Sequence, residues 1–437
     1  MNNPLHTILI VGGGAGGLEL ATKLGRRLGR GKKARVVLVD AHLTHVWKPL
    51  YHEVAVGSLD ASANEVNFRA HARRHHFEFS LGRLTDIDRE RKEVVLAPII
   101  DDEGQEVVPE RRKQYDTLVI AIGSTANDFG TPGVQDNCLF LDTLPQARSF
   151  HRLMLNRFLA KEYEAQMSGN QRMHIAIIGA GATGVELAAE LRLASRELPS
   201  YGLDHLESSS VRITVIEAGE RILPALTERL SAAAQRELGR LNIEVRTGAR
   251  VTRVAADRLC LEGGEELPAD MMVWAAGIKA PEFLKDLAGL ETNRANQLMV
   301  RDTLQTTLDP DIFAFGDCAS CPQPDTDRPV PPRAQAAHQQ ASLLAKTLAR
   351  RLQGQDPLPF RYRDHGSLIS FSHYGSVGSL MGNLTGGSLM VEGKLARMFY
   401  ISLYRMHQIA LHGFTRGFLI WLTDKINRAI QPRLKLH

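Results

Sequence analysis

Short runs of apolar residues, alternating with stretches of helical character, recur along the first three quarters of the chain. Runs this short, without a regular polar position, are typical of strands buried on both faces of a parallel sheet. Strands that alternate with helices predict parallel sheets with crossover helices, and therefore an α/β fold. The apolar runs are residues 8–11, 34–39, 115–122, 175–178, 211–216, 271–274 and 311–315.

Two of these strands lead into glycine-rich turns of the same G-x-G-x-x-G spacing, at residues 12–17 and 179–184. In such a turn the first glycine allows the tight bend, and the second lets a pyrophosphate approach the backbone. The third lets the following helix pack closely on the strand. The helix N-terminus also presents N–H groups and a positive dipole end to phosphates. One such turn is often only structural, but its repetition favours two bound dinucleotides.

An acidic residue ends the next strand of each repeat, where a carboxylate can accept a ribose hydroxyl. These residues are Asp40 and Glu217. The interval from Gly179 to Glu217 exceeds the usual roughly 20 residues, so we expect a long helix or an insertion near residues 199–210. Glu217 would repel a 2′-phosphate, which favours a dinucleotide with a free 2′-hydroxyl, although Arg221 is near enough in sequence to soften the preference.

Other strand ends and loops carry candidate cofactor contacts. Gly123 and Gly277 end strands and permit close approach to a cofactor, and Asp317 follows a strand where it can hold a polyol hydroxyl. The loop at residues 44–53, with an aromatic residue that looks exposed and Lys48, could line a flavin pocket or be an ordinary packed loop. Leu84 lies where an adenine could rest.

The predicted helix at residues 333–352 places Gln335, His338 and Gln339 on one face by their i, i+3 and i+4 spacing. Taken alone, this pattern favours an ordinary polar helix face. Cys318 and Cys321 form a C-x-x-C pattern after Asp317, and we interpret them as structural. Four unevenly spaced cysteines in all argue for a reducing compartment, and we predict no metal site.

Length and composition describe a globular chain of two or three domains, with 437 residues, 43% of them hydrophobic and 23% charged. The first apolar run is the first strand, and no basic region precedes it, so we expect no signal peptide. No run approaches the roughly 18 apolar residues of a membrane-spanning helix.

The C-terminal region differs from the rest in pattern and charge. Residues 366–392 are rich in glycine and serine with alternating apolar positions, which predicts a small antiparallel sheet. Residues 394–437 hold eight basic residues and one acid, so they carry +7, while the remainder of the chain carries −3. This asymmetry predicts a local anionic partner.

The same tail is amphipathic, and Gly413 and Gly417 are candidate points of division into two helices. A wide apolar face flanked by basic residues favours the interface of an anionic membrane. A helix packed on the domain core or on a partner subunit is the alternative. The predicted apolar stripe is Phe399, Leu403, Met406, Ala410, Phe414, Gly417 and Trp421.

Several motifs together resemble the bacterial type II NADH dehydrogenases, which are single-subunit NADH:quinone oxidoreductases. These are Trp-Lys-Pro-Leu at 47–50, Gly-Ala-Thr-Gly-Val-Glu at 181–186, Trp-Ala-Ala-Gly-Ile at 274–278, Phe-Gly-Asp at 315–317 and Arg-Ala-Gln-Ala-Ala-His-Gln-Gln at 333–340. The tail at 404–413 resembles that of the enterobacterial respiratory enzyme. The resemblance runs nearly end to end.

The resemblance implies two Rossmann-like domains, the second inserted in the first, and a membrane-associating C-terminal region. Its domains would be residues 1–165 and 291–365 for FAD, 166–290 for NADH, and 366–437 for the membrane. The activity would be transfer of hydride from NADH to non-covalent FAD, then of two electrons to a membrane quinone, without proton pumping. The protein would be peripheral, on the cytoplasmic face of the inner membrane. A homodimer is compatible with this reading, and no nucleic acid is expected.

Residue by residue, the resemblance assigns catalytic roles to Glu186, Gln335 and His338. Asp40 departs from the family's more frequent glutamate and is one methylene shorter. The implied FAD contacts are Gly12, Gly13, Gly14, Ala15, Gly16, Gly17, Asp40, Ala41, Lys48, Leu84, Gly123, Asp317, Ala334 and Gln335. The implied NADH contacts are Gly179, Gly181, Thr183, Gly184, Glu186, Glu217 and Gly277.

Three other functions remain open at this point. A thiol–disulfide flavoenzyme needs a redox cysteine pair beside the flavin, but the loop after Asp40 holds none. A sulfide:quinone oxidoreductase needs reactive cysteines, for which Cys138 and Cys318 are the candidates. A redox-responsive protein whose basic tail binds nucleic acid is the non-enzymatic alternative.

Overall fold

A computed structural model describes residues 5–169, 172–206, 208–324, 326–371, 376–381, 388–430 and 434. The α-helices are α1 Ala15–Leu24, α2 Tyr51–Val56, α3 Ala61–Asn64, α4 Phe68–His75, α5 Val134–Asn137, α6 Leu144–Ser168, α7 Ala182–Glu197, α8 Glu228–Arg240, α9 Ala334–Arg351, α10 Gly393–His412 and α11 Phe414–Ile430.

The strands of the first half are β1 Thr7–Val11, β2 Arg35–Asp40, β3 Thr44–His45, β4 Val66–Asn67, β5 Glu78–Leu81, β6 Leu84–Asp88, β7 Glu93–Leu96, β8 Ile99–Ile100, β9 Glu106–Val108, β10 Arg111–Gln114, β11 Thr117–Ile120, β12 Thr125–Ala126, β13 Met173–Ile178 and β14 Val211–Ile216. Those of the second half are β15 Ile243–Arg246, β16 Val251–Val254, β17 Arg258–Leu261, β18 Glu266–Pro268, β19 Met271–Trp274, β20 Ile278–Lys279, β21 Leu298–Met299, β22 Ile312–Ala314, β23 Ala319–Ser320, β24 Pro322–Gln323, β25 Thr326–Pro329, β26 Gly366–Ser370, β27 Ser376–Met381 and β28 Ser388–Glu392.

The chain forms two compact units, and it leaves the first unit and returns to it twice. The first unit comprises Met1–Trp47, Asn64–Thr125 and Ile278–Asp364, and the second comprises Lys48–Ala63, Ala126–Gly277 and His365–His437. The domain boundaries drawn from the sequence stay predictions.

The first unit is built on a parallel sheet of five strands in the order β22-β11-β1-β2-β5. Leu9 of the central strand lies between Val37 of β2 and Leu118 of β11, and all three are buried. Burial on both faces explains why these strands are apolar without alternation. The strand order reverses between β1 and β11, which is where open α/β sheets form their binding crevice.

The second unit repeats this plan with a parallel sheet in the order β15-β14-β13-β19. Ile177 of β13 lies between Val215 of β14 and Val273 of β19. The long interval before Glu217 has both predicted causes. α7 runs for 16 residues, and 3-10 turns at Leu198–Tyr201 and Ser208–Ser210 follow it before β14.

Antiparallel sheets complete both units. β6, β7 and β10 form one in the first unit, and β16, β17 and β18 form one in the second. β26, β27 and β28 form a further antiparallel sheet, with Leu380 opposite both Gly366 and Leu389. The antiparallel sheet predicted from the composition of residues 366–392 is therefore confirmed.

The tail divides at Gly413, whose φ of +82° ends α10 and starts α11 in a new direction. Gly417 does not divide it, because it lies within α11 where that helix crosses Ile409 of α10. In the described part of the chain, no helix combines the length and hydrophobicity needed to cross a membrane.

Candidate functional site

The turn after β1 has the geometry that its glycines require. Gly12 has a φ of +103°, and a Cβ added there would lie 2.4 Å from the carbonyl oxygen of Ala121. A Cβ on Gly17 would lie 1.9 Å from the carbonyl oxygen of Gly12, so α1 can pack on β1 only with glycine here. A Cβ on Gly14 would meet nothing within 4 Å. The turn is thus tight on its protein side and open on the side where a phosphate would approach.

Asp40 holds this turn through its carboxylate. Its Oδ2 accepts a 2.6 Å hydrogen bond from the backbone N–H of Gly13, and its Oδ1 accepts one of 2.8 Å from the N–H of His42. The same carboxylate raises the pKa of the His42 imidazole by hydrogen bonding. Asp40 is therefore fixed beside the glycine turn, with Ala41 exposed next to it.

The turn after β13 repeats the arrangement in the second unit. A Cβ on Gly184 would lie 2.0 Å from the carbonyl oxygen of Gly179, whereas one on Gly181 would meet nothing within 4 Å. Glu217 Oε2 accepts a 2.9 Å hydrogen bond from the N–H of Ala180, the position equivalent to Gly13. Thr183 is exposed in the first turn of α7. Each of the two turns therefore has an open side and a carboxylate of its own that anchors it.

Arg221 does not extend toward solvent beside Glu217. Its guanidinium donates to the carbonyl oxygens of Leu226 at 2.8 Å and Pro224 at 3.0 Å. These bonds hold the cation within its own loop, so the structure gives no support to the expectation that Arg221 softens the preference for NADH.

A cleft of about 350 Å³ lies beside Asp317 in the first unit. Asp317 Oδ2 accepts a 2.8 Å hydrogen bond from the Ser124 hydroxyl, and its carbonyl oxygen accepts one of 3.0 Å from Gln297 Nε2. Lys279 and Arg328 add positive charge to the lining. Gly123, with a φ of +74°, precedes Ser124. Carboxylate, hydroxyl and cations are the groups that a polyol and a phosphate require.

Sequence reasoning found Asp317 and Gly123 but missed Ser124, Gln297, Lys279 and Arg328. Only Ser124 had a usable signal, because it directly follows a strand-end glycine. The other three come from segments that no motif joins to Asp317.

α9 begins at Ala334, and its polar residues have specific partners. Gln335 Nε2 donates to Asp364 Oδ1 at 3.1 Å, and Gln339 exchanges hydrogen bonds with the backbone of Arg363. His338 instead donates from Nδ1 to Glu19 of α1. The Gln335 and Gln339 side chains thus bind residues 363–364 and remain partly exposed, which is compatible with the ordinary polar helix face that the pattern alone favours.

Glu186 is buried on α7 in the second unit, only 7% exposed. Its Oε1 accepts a 3.0 Å hydrogen bond from the N–H of Ser370. Burial raises the pKa of Glu186 to about 8 against the effect of that hydrogen bond, and the negative charges of Glu53 and Glu190 add to the rise. The carboxyl group is therefore largely protonated near neutral pH.

His52 lies beside Glu186, with Nδ1 3.8 Å from Oε2. Burial lowers the pKa of His52 to about 4. Because the imidazole and the carboxyl group are both neutral near pH 7, this approach is not an ion pair, and 3.8 Å is too long for a hydrogen bond.

Three further predicted contacts have clear structural surroundings. Lys48 belongs to the second unit, where its Nζ lies 3.2 Å from Asp142 Oδ1. Leu84 is buried in β6 opposite Leu96. Trp47, which looked exposed in the sequence, is buried at 7%, so that expectation was wrong. Its loop precedes a 3-10 turn at Lys48–Leu50, of which Leu50 is buried.

Gly277 has an unforeseen neighbour, Phe129. A Cβ on Gly277 would lie 2.4 Å from the ring of Phe129, which is 64% exposed and has a positive φ of 52°. The Trp274 indole holds this loop by donating to the carbonyl oxygen of Asn127 at 2.8 Å. A side chain at position 277 would therefore be strained by the backbone φ of +66° and would have to displace the exposed Phe129 ring.

The buried cysteines are protonated thiols. Burial raises the pKa of Cys138 and Cys321 to about 12 and that of Cys318 to about 11. Cys318 Sγ also lies 3.3 Å from the carbonyl oxygen of Phe315. Nucleophilic sulfur chemistry needs the thiolate, so these residues suit the structural role predicted for Cys318 and Cys321.

Comparisons with known proteins agree with this architecture. The family model described as pyridine nucleotide-disulphide oxidoreductase matches residues 6–341. A type II NADH:quinone oxidoreductase of Haemophilus influenzae is 47% identical over 445 residues, which cover 99% of this chain and 100% of that protein. Another, from Staphylococcus aureus, is 27% identical over 384 residues, which cover 87% of this chain and 91% of that protein.

Two solved structures share the fold. NDH2 from Plasmodium falciparum in complex with NADH has a TM-score of 0.82 at 20% identity, covering 98% of this chain and 100% of that one. The sulfide:quinone oxidoreductase from Aquifex aeolicus has a TM-score of 0.70 at 17% identity, covering 97% and 95%. The predicted α/β fold class is confirmed. Since close to half of the residues are identical to the Haemophilus protein from end to end, the chain belongs to the type II NADH:quinone oxidoreductases of the pyridine nucleotide-disulphide oxidoreductase family.

Proposed function

We propose that the protein oxidises NADH and reduces a quinone through FAD, with FAD held by the first unit and NADH by the second. The observation that carries this proposal is the repeated glycine turn. In each unit a strand-end carboxylate accepts the N–H of the residue between the first two glycines, and the second glycine faces open space. Bound FAD supplies the redox chemistry, accepting two electrons from NADH and passing them to the quinone.

The residues of the first unit fit the successive parts of FAD. The turn at residues 12–17 and the N-terminus of α1 would hold the pyrophosphate, and Asp40 would accept a ribose hydroxyl. Asp317, fixed by Ser124, would hold the ribityl chain beside Gly123. Ala334 and Gln335 at the start of α9 would meet the ring system. Ala41 and Leu84 remain proposed contacts, as does Lys48, although Lys48 belongs to the second unit.

In the second unit, the turn at residues 179–184 would bind the NADH pyrophosphate, with Thr183 and Gly277 as further proposed contacts. Glu186 would position the nicotinamide amide and help to relay protons, because its carboxyl group is buried and retains a proton near neutral pH. Replacing Glu186 with glutamine should lower turnover while leaving FAD bound. Gln335 and His338 would contact the quinone from α9.

The tail is proposed to hold the protein at an anionic membrane, where the quinone is dissolved. Large apolar side chains are exposed along α11, including Phe414 at 75% and Ile430 at 77%. Arg416 and Lys425 are exposed on the same helix. An apolar face with adjacent cations suits the boundary between headgroups and acyl chains. The cytoplasmic face of the membrane and a homodimer are part of the same proposal.

The absorption spectrum of the purified protein tests the proposed function most directly. We expect a yellow flavin chromophore that NADH bleaches under anaerobic conditions and that a soluble quinone restores. A protein that stays colourless after reconstitution with FAD would contradict the proposal. A chromophore reduced by sulfide and not by NADH would instead favour the sulfide:quinone alternative.

The choice of nucleotide tests the second unit. Because the Glu217 carboxylate would repel the 2′-phosphate of NADPH if it lies at the ribose, we expect kcat/KM for NADH to exceed that for NADPH by about tenfold or more. Replacing Glu217 with glutamine should narrow the ratio. Equal values for the two nucleotides in the unmodified protein would contradict the assignment of Glu217.

A further inference from the structure

Glu19 is a buried carboxylate on α1 that no sequence motif singled out. Its side chain is only 3% exposed, although it follows the glycine turn by a single helical turn. It accepts hydrogen bonds from Lys23 Nζ at 2.5 Å, from the Ser342 hydroxyl at 3.4 Å and from His338 Nδ1. Two of these three donors lie on α9.

Burying a carboxylate in this way is unfavourable unless donors compensate its charge. Burial by itself raises the pKa of Glu19, but the hydrogen bonds and charges of His338 and Lys23 more than offset this, so the pKa is below its usual value. The carboxylate is therefore ionised and can only accept hydrogen bonds. A short contact with His338 Nδ1 then requires that this ring nitrogen carries a proton.

We infer that Glu19 is a positioning residue for His338 in quinone reduction. The hydrogen bond from Nδ1 to Glu19 fixes the tautomer and the orientation of the ring, so that Nε2 is the ring nitrogen on the side away from Glu19. The His338 side chain is 25% exposed and so can be reached from solvent, unlike Glu19. The inference rests on the proposed function, which places His338 at the quinone.

In the described part of the chain, the ionisable groups beside this pair include Lys23 on α1 and His45 on β3. Lys23 also donates to Ser342 at 2.6 Å, which closes a network around the carboxylate. Burial lowers the pKa of His45 to about 4, opposed by Asp40, and nearby His338 contributes to the decrease. His45 is therefore neutral at working pH, so Glu19 and Lys23 are the charges that face His338 from these elements.

A purely structural role is the competing explanation, because Glu19 also joins α1 to α9. The two explanations differ in what they affect. Loss of a structural link lowers stability, FAD content and all activities together. Loss of a positioning residue lowers quinone turnover selectively, because reduction of ferricyanide by NADH requires FAD and NADH but no quinone contact.

The test compares Glu19→Gln, Glu19→Asp and Ser342→Ala with the full-length holoenzyme. Ser342→Ala is the matched control, since it removes another donor to the same carboxylate and leaves His338 in place. We expect Glu19→Gln to lower kcat with a soluble quinone by about tenfold, with NADH–ferricyanide turnover per bound FAD changed by less than about twofold. Glu19→Asp should recover part of the loss, and Ser342→Ala should stay near the unmodified rate.

A double-mutant cycle with His338→Gln keeps the inference testable if Glu19→Gln folds poorly. If Glu19 acts through His338, Glu19→Asp should slow quinone turnover in the natural background and have no further effect in His338→Gln. Equal effects in both backgrounds, or parallel losses of quinone and ferricyanide turnover, would overturn the inference. Full quinone turnover in His338→Gln would instead overturn the proposed role of His338 itself.

Discussion

The pKa of Glu186 makes stability depend on pH in a predictable direction. The folded carboxyl group has a pKa of about 8, whereas its ordinary value is 4.5. Below pH 4.5 the group is protonated in both the folded and the unfolded chain. As pH rises from 4.5 to about 8, only the unfolded chain gains from ionisation, so the free energy of unfolding decreases across this interval.

The glutamine of Glu186→Gln cannot ionise, so the free energy of unfolding of this variant should decrease less over that interval. We expect the variant to become more stable relative to the natural protein as pH rises. Across the whole interval the difference in the free energy of unfolding should reach on the order of a few kcal/mol. Thermal unfolding midpoints of both proteins between about pH 5 and about pH 8 measure this difference. The exposed Glu282→Gln serves as control. Parallel pH curves for Glu186→Gln and the natural protein would show that Glu186 is ionised when folded.

Individual residues differ in how far the sequence reveals them. Asp40 and Glu217 were predictable because each lies at a fixed distance from a glycine turn in the same strand–turn–helix unit. Glu19 lies in the same stretch as the first turn, but its partner His338 is more than three hundred positions away. A pairing of this kind depends on how α1 meets α9, which no local pattern specifies.

The tail helices show how one glycine changes an apolar face. The apolar stripe was drawn with one helical period over residues 399–421, and the positive φ of Gly413, one of the two candidate points of division, redirects the chain within it. Of the stripe residues whose side chains the structure describes, Met406 and Phe414 are exposed and Gly417 is buried; those of Phe399 and Leu403 lie outside the described residues. The exposed set on α11 is Phe414, Phe418, Leu419, Leu422, Ile426 and Ile430.

The basic residues of the tail are not all exposed on its surface. Arg405, one of the eight basic residues of the tail, lies 2.8 Å from Asp424, the single acid of residues 394–437. This pair joins α10 to α11 and leaves Arg416 and Lys425 as exposed cations of α11 in the described chain.

The exposed face of α11 gives a prediction about membrane binding. Replacing Phe414, Phe418 and Leu422 with serine removes apolar surface that would enter the lipid, at roughly 25 cal/mol per Å² of buried area. We expect binding to vesicles containing anionic lipid to fall by at least about tenfold, with NADH–ferricyanide turnover retained. Co-sedimentation with vesicles measures it.

The matched control replaces Ile100 and Val107, two exposed apolar residues of the β8–β9 hairpin, with serine. This control should leave vesicle binding unchanged. Point substitutions test the tail better than truncation after residue 393, because α10 packs on the β26–β28 sheet and Leu434 is fixed by hydrogen bonds to Tyr201. Unchanged binding of the triple variant would contradict a role for α11 at the membrane.

At the scale of the molecule, the sequence revealed the two repeated α/β units, but it did not reveal that residues 48–63 belong to the second unit. Apolar runs and glycine spacing predicted two α/β units because both signals are local. Residues 48–63, however, leave the first unit and join the second, where α2 packs against α6 and α7. The unit that residues 48–63 join depends on the surfaces against which α2 is buried, which the local sequence does not specify. Lys48, an implied FAD contact, therefore belongs to the second unit and not to the first.

Duplication of the glycine turn allows each nucleotide to be removed separately. Gly14 and Gly181 both have negative φ values that alanine adopts easily, and a Cβ at either position meets no protein atom within 4 Å. Alanine at either position should therefore fold normally but intrude where a pyrophosphate would approach. Gly14→Ala should lose most of its FAD, whereas Gly181→Ala should remain yellow.

The decisive measurement is the anaerobic spectrum of each variant with NADH and then with dithionite. We expect Gly181→Ala to be reduced by dithionite as fully as the natural protein, but to need about tenfold more NADH or more for the same bleaching. Gly239→Ala on α8, also free of Cβ contacts, controls for the added methyl group. The two turns have the same geometry and differ only in the nucleotide assigned to them. If Gly14→Ala stayed yellow and Gly181→Ala were colourless, the assignments of FAD and NADH to the two units would have to be exchanged. Loss of FAD in both variants would contradict the assignment of NADH to the second turn.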